Sequence, residues 1–148
     1  MSLSAEILCR IVGIETDTAD IAKNTRVTRA EYFTALSDGT AAGQAQVIYS
    51  DSVTSAGTDT YQLSSLPDSR DGAAVTIAFT AAKVLYVRNT HASNAITVTG
   101  AYTGSVPAGG MLLAVNPTAA GTTAATLYLA STAGTTYEIV IVGEGSLI

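Results

Sequence analysis

The chain has 148 residues, enough for one domain with a substantial core and hardly enough for two. Only 13% of its residues are charged, and a net charge of −5 disfavours nucleic-acid binding, which needs clustered cations to displace phosphate counterions. Ala, Thr, Gly and Ser supply 73 of the residues, beside one His, one Cys and no Trp, which leaves little material for catalysis and none for an intrachain disulfide.

In chain order, the N-terminus does not read as a secretory signal, because Glu6 and Arg10 interrupt its two short apolar runs and no basic segment leads it. No stretch approaches the ~20 apolar residues of a membrane-spanning helix. The chain is therefore expected to be made in a cytoplasm, without a membrane segment. Residues 1–43 carry just over half of the charge in mixed patterning and read as an N-terminal arm, irregular or partly helical. Residues 4–12 suit a helix or a strand equally. Thr28 and Glu31 have the spacing of a capping box, and Asp38 with Gly39 would stop the helix that it starts. Tyr32, Phe33 and Thr34, within the same segment, also suit a strand. Lys23, Arg26 and Arg29 form the one basic cluster, but Glu15, Asp17, Asp20 and Glu31 flank it and largely cancel its field. These three cations are either a solvated segment or a contact to an acidic partner. They are the candidate partner-contact residues.

From residue 44 the hydrophobic period becomes two, and 44–148 reads as one β-domain. Val75, Ile77 and Phe79 alternate with small polar residues, as do Ile96 and Val98, so each run has one face to bury. Residues 84–87 form a continuous apolar run. In 137–142 both faces are largely apolar, so that strand should be covered on both sides. Further strands are expected at 44–50, 58–64, 110–115 and 124–130. Turn clusters at 51–57, 67–72, 89–94, 103–109, 116–121 and 131–135 separate these runs. Eight short strands without intervening helices indicate an all-β, antiparallel β-sandwich, and eight is the count of a jelly roll. Threonine supplies β preference without charge. The resulting Thr/Ala surface is poor at keeping a lone monomer soluble and suits being covered by another protein.

Candidate chemistry is sparse. His91 lies in the turn 89–94 with no GxSxG or neighbouring nucleophile, and reads as an exposed turn residue. Cys9 reads as a small buried apolar residue. The turn Pro67-Asp-Ser-Arg-Asp-Gly72 holds two carboxylates, but its spacing is not that of an EF-hand and Arg70 partly neutralises it. Asp51 and Asp59 would have to converge on it to hold calcium. Glycines lie among strands with no phosphate-binding motif, and Glu138 and Glu144 are the only late acids available for a glycosidase pair. No catalytic residue, metal ligand or cofactor site is assigned, and the chain is expected not to be an enzyme. Of seven tyrosines, Tyr86 and Tyr128 are the ones whose exposure would signal a binding face.

Five segments carry a resemblance: 38–51, beginning Asp38-Gly-Thr-Ala-Ala-Gly; 79–89, with Lys83-Val-Leu-Tyr-Val-Arg88; 106–110; 124–130; and Tyr137-Glu-Ile-Val-Ile-Val-Gly143. In this order they resemble small virion proteins of tailed bacteriophages, in particular capsid decoration, or cement, proteins with a jelly-roll-like domain. The resemblance implies a homo-oligomer, dimer or trimer, seated on the major capsid protein at the surface of the virion. There it would reinforce the shell against packaged DNA. It transfers no catalytic residue or cofactor, and residues 1–37 lie outside it. The charged arm is expected to contact the capsid or a neighbouring copy. Two alternatives are a head–tail connector or tail-associated protein, and a carbohydrate-binding module for host attachment.

Overall fold

The structure is a computed structural model that describes residues 2–17, 24–68, 75–123 and 125–148, with side chains up to Ile14 and from Val27 on either side of the first gap. Among the described residues it is all-β. The thirteen strands are β1 (Ala5–Asp17), β2 (Asn24–Asp38), β3 (Gln44–Ala45), β4 (Val47–Thr54), β5 (Thr58–Gln62), β6 (Leu66–Pro67), β7 (Thr76–Asn89), β8 (Ile96–Gly100), β9 (Gly104–Val106), β10 (Met111–Val115), β11 (Thr122–Thr123), β12 (Thr126–Ala130) and β13 (Thr136–Leu147). Pairing is antiparallel throughout, apart from two residues of β3 that lie parallel to β2.

Two sheets make the sandwich. The main sheet has the order β10-β7-β13-β4, with β6 and β11 as short additions to β7, and the second sheet has the order β5-β12-β8-β9. The pairing is nested: β4 pairs with β13, β5 with β12, β7 with β10 and β8 with β9. The inner faces of the two sheets meet. Ile96, Val98, Leu127 and Leu129 of the second sheet pack on Leu85, Val87, Ile139 and Ile141 of the main sheet, all fully buried. The period-two pattern of these runs has its physical cause here: successive side chains alternate between this core and the outside.

The apolar runs 75–80 and 84–87 are one 14-residue strand, not two. Their phase differs because β7 carries extra residues in its ladder with β13. Val142 faces Val84 and Gly143 faces Ala82, so Lys83 is bulged out, and a second shift falls between Glu144 and Gly145. At Gly143 the backbones approach so closely that an added Cβ would collide with the Ala81 carbonyl oxygen.

In its described residues the N-terminal arm is neither irregular nor helical. β1 and β2 form a two-stranded antiparallel ribbon in unbroken register from Ala5 against Leu36 to Asp17 against Asn24. The helix expected after Thr28 does not form. Tyr32, Phe33 and Thr34 instead face Cys9, Leu8 and Ile7 across the ladder, and Thr28 faces Gly13. Local capping signals are worth about 1 kcal/mol, less than a row of cross-strand pairs and backbone bonds supplies. Aromatic and β-branched residues win the segment for the sheet.

Candidate interaction surface

Near its base the ribbon packs on the outer face of the main sheet. Leu36 and Ala45 join Val84 and Val142 in a second buried cluster, with Leu3, Ala5, Ile7 and Ile48 around it. A buried ion pair holds this junction. Lys83, fully buried at the bulge, places Nζ 2.8 Å from Glu144 Oε1 of β13. It also donates to the Ala41 carbonyl in the loop between β2 and β3, at 2.9 Å. Its own carbonyl accepts from Asn116 N (2.7 Å), and Gly43 N donates to Pro117 O (2.8 Å). One bulged residue thus ties three segments together, which explains why a charge can sit there without water.

The outer face of the main sheet can be read as three rows from the register. The row beneath the ribbon is Val115, Val84, Val142 and Ile48; the next is Leu113, Tyr86, Val140 and Ser50; the last is Met111, Arg88, Glu138 and Ser52. Burial is complete only at the centre of the first row, at Val84 and Val142; Val115 and Ile48 are half-buried. Val142 is buried, as expected for a strand apolar on both faces, whereas Val140, Tyr86 and Leu113 are half-buried and Met111 is 52% exposed. The Arg88–Glu138 pair at 3.5 Å closes the far edge. Between this shelf and residues 4–8 of the ribbon lies an apolar cleft of about 500 Å3.

Beyond Cys9 the ribbon leaves the domain, and its described side chains, up to Ile14 on β1 and from Val27 on β2, are exposed on both faces. One face carries Ile11 and Tyr32; the other carries Leu8 paired with Phe33, Arg10 with Glu31, Val12 with Arg29 and Ile14 with Val27. Seven of the eleven large apolar side chains exposed among the described residues are on this ribbon, with Ile14 at 69%, Leu8 at 62% and Phe33 at 58%. Burying them would contribute on the order of 10 kcal/mol. A two-stranded ribbon is marginal alone in water, so this one calls for a partner surface.

Of the three cations singled out in the sequence, Lys23 and the Arg26 side chain lie outside the described part. Arg29 is exposed on β2 across from Val12. The apolar residues, not the cations, dominate the described arm. Their signal was present as the run Ile7, Leu8, Ile11, Val12 and Ile14, which has apolar residues at both parities and no polar face.

The other candidates resolve into structural roles. His91 is half-buried; its Nδ1 accepts the backbone N–H groups of Ser93 (3.2 Å) and Asn94 (3.1 Å), which closes the turn. Cys9 is half-buried on the inner face of the ribbon and forms no disulfide. Asp68 is buried, whereas residues 69–72 of the acidic turn lie outside the described part. Asp51 and Asp59 instead serve tyrosines between the two sheets. Tyr61 donates to Tyr137 Oη at 2.6 Å, Tyr137 donates to Asp59 Oδ2 at 2.8 Å, and Tyr49 donates to Asp51 Oδ2 at 3.1 Å. The Tyr49 and Tyr61 rings meet edge to face at 6.1 Å. Burial, with Asp59 and Asp51 nearby, pushes the Tyr61 hydroxyl up to about 12, and Tyr49 and Tyr137 upward as well, chiefly by burial. These hydroxyls stay neutral donors at ordinary pH. Tyr128 is exposed and Tyr86 half-buried.

Compared with family models, curated proteins and solved structures, the chain matches none.

Proposed function

We propose that the chain is a non-enzymatic structural protein of a tailed-phage particle, a decoration protein that binds the major capsid protein on the outside of the head and stabilises it. The observation that carries this reading is the ribbon, which projects from a closed sandwich and exposes apolar side chains on both faces. Such a device suits a surface that another protein will cover. A charge-poor Thr/Ala exterior favours the same end. Attachment of many copies to a lattice would turn modest affinity at each site into firm retention.

The domain itself we read as a jelly roll. In support, the eight main strands pair first with last, second with seventh, third with sixth and fourth with fifth, in two four-stranded sheets. Imaging of particles from a phage that encodes the chain tests the assignment. Hundreds of copies on the outer shell are expected. A handful at the neck or tail would favour the connector reading, and absence from the particle would overturn both. A carbohydrate-binding module keeps one specific observation: Tyr86 lies beside Ser50, Ser52 and Glu138 in an open depression. Glycan-array binding lost on Tyr86→Ala would favour it.

A further inference from the structure

We propose that Lys83 is a positioning residue that fixes the angle at which the ribbon leaves the sandwich, while the apolar junction around it holds the ribbon down without setting that angle. This goes beyond the capsid reading and stands without it, because it concerns the isolated chain.

The ribbon is attached by two unlike kinds of contact. Among the described residues, β1 and β2 pair with each other and briefly with β3, and share no ladder with the main sheet. Their broad hold on that sheet is a patch of apolar side chains, in which Leu36 and Ala45 meet Val84 and Val142. Apolar burial rewards the area removed from water and is indifferent to direction. A ribbon that pivots slightly on small Val and Ala side chains therefore loses little.

Hydrogen bonds do carry direction, because they weaken steeply when bent or stretched. Two of them grip the loop that turns β2 into β3. Gly43 N donates to Pro117 O at 2.8 Å, and Lys83 Nζ donates to Ala41 O at 2.9 Å. One such point is a pivot; a second point on the same loop removes the rotation about it. The ammonium is itself held from β13 by Glu144 Oε1 at 2.8 Å, so the second point is referred back to the main sheet.

The backbone is shaped to put Lys83 there. Ala82 packs in the core between the sheets, whereas Val84, two residues on, packs under the ribbon. In an unbroken strand those two would share a face; the extra residue that switches the phase is Lys83. The bulge thus gives the junction two successive residues, one apolar and one charged. Stability alone does not explain the charge, since apolar residues of similar volume often replace a buried ion pair at no loss. What Met and Leu would lack is a donor aimed at Ala41.

Pulsed electron resonance between two spin labels on the full chain tests this. In a Cys9→Ser background, labels at Val12→Cys on the ribbon and Thr97→Cys on β8, both exposed positions, report the ribbon's angle. Dilution with unlabelled chain leaves only distances within one molecule. The parent should give one narrow distance peak. Lys83→Met with Glu144→Leu should broaden that peak at least about twofold, as more orientations become populated, with cooperative melting within a few degrees of the parent. Leu36→Ala thins the apolar patch but spares the Lys83 contacts; it should lower the melting temperature and keep the peak narrow. A broad peak in the parent, an unchanged width or lost cooperative melting in the double variant, or equal broadening by Leu36→Ala would each overturn the proposal. Failure to bind phage heads would leave it intact and overturn only the capsid reading.

Discussion

At the scale of single residues, the interior holds two polar devices with different consequences. The chain Tyr61–Tyr137–Asp59 joins β5 to β13 between the sheets. Tyr137→Phe removes the donor to Asp59 and the acceptor for Tyr61, and should cost about 1–3 kcal/mol in denaturant unfolding. The same cluster sets an alkaline limit. Tyr61 is raised to about 12 in the folded state, so the fold favours the neutral phenol. That contribution is fully present below the ordinary tyrosine value near 10 and is lost as pH rises through about 12. Thermal melts should fall steadily from about pH 10 upward, and a flat profile to pH 12 would contradict the burial of these hydroxyls. The second device is Lys83 with Glu144. Lys83→Met leaves Glu144 without its counter-ion and should destabilise by about 3 kcal/mol, whereas Lys83→Met with Glu144→Leu should recover much of the loss. Residues 72–148 hold four charged side chains, Lys83, Arg88, Glu138 and Glu144; which of them pair was invisible, because Lys83 reaches Glu144 only through a bulge that pattern alone does not reveal.

At the scale of elements, most strands of the sandwich were legible and those of the arm were not; β9 lies within 103–109 and the end of β4 within 51–57, both of which read as turns, and two expected strands are the single β7. Residues 96–100 and 126–130 have one buried face each and 76–80 likewise, which alternation announces, whereas 81–85 and 141–143 are buried on both faces and show no alternation. In β1 and β2 alternation fails, because among the described side chains beyond Cys9 neither face is buried. The capping pattern at Thr28 and Glu31 then misled, since local spacing cannot register Leu8 and Arg10 lying across the ladder. Two tests belong here. Gly143→Ala forces a Cβ into the Ala81 carbonyl and should cost about 2–4 kcal/mol by breaking the bulge, measured as a drop in melting temperature. Replacing 10–31 by a tight Asn-Gly turn should leave the sandwich cooperative and within a few degrees of the parent monomer, because its core cluster contains no residue of that segment. Loss of cooperative melting would show that the ribbon is part of the folding unit.

At the scale of the whole molecule, nested pairing has a kinetic price: β4 must find β13, about ninety residues away, before the main sheet closes. Refolding is expected in milliseconds to seconds, followed by tyrosine fluorescence because the chain has no tryptophan. Microsecond refolding would be inconsistent with this topology. Composition and period two by themselves determined the class: an all-β, antiparallel, charge-poor sandwich, because burial of one strand face is a local property written at every second residue. Which strands neighbour one another, where the ribbon lands and which apolar face stays open were decided only in three dimensions. They depend on pairings between residues far apart in the chain, on a bulge that moves Lys83 into the junction, and on a ribbon too long for its own domain to cover.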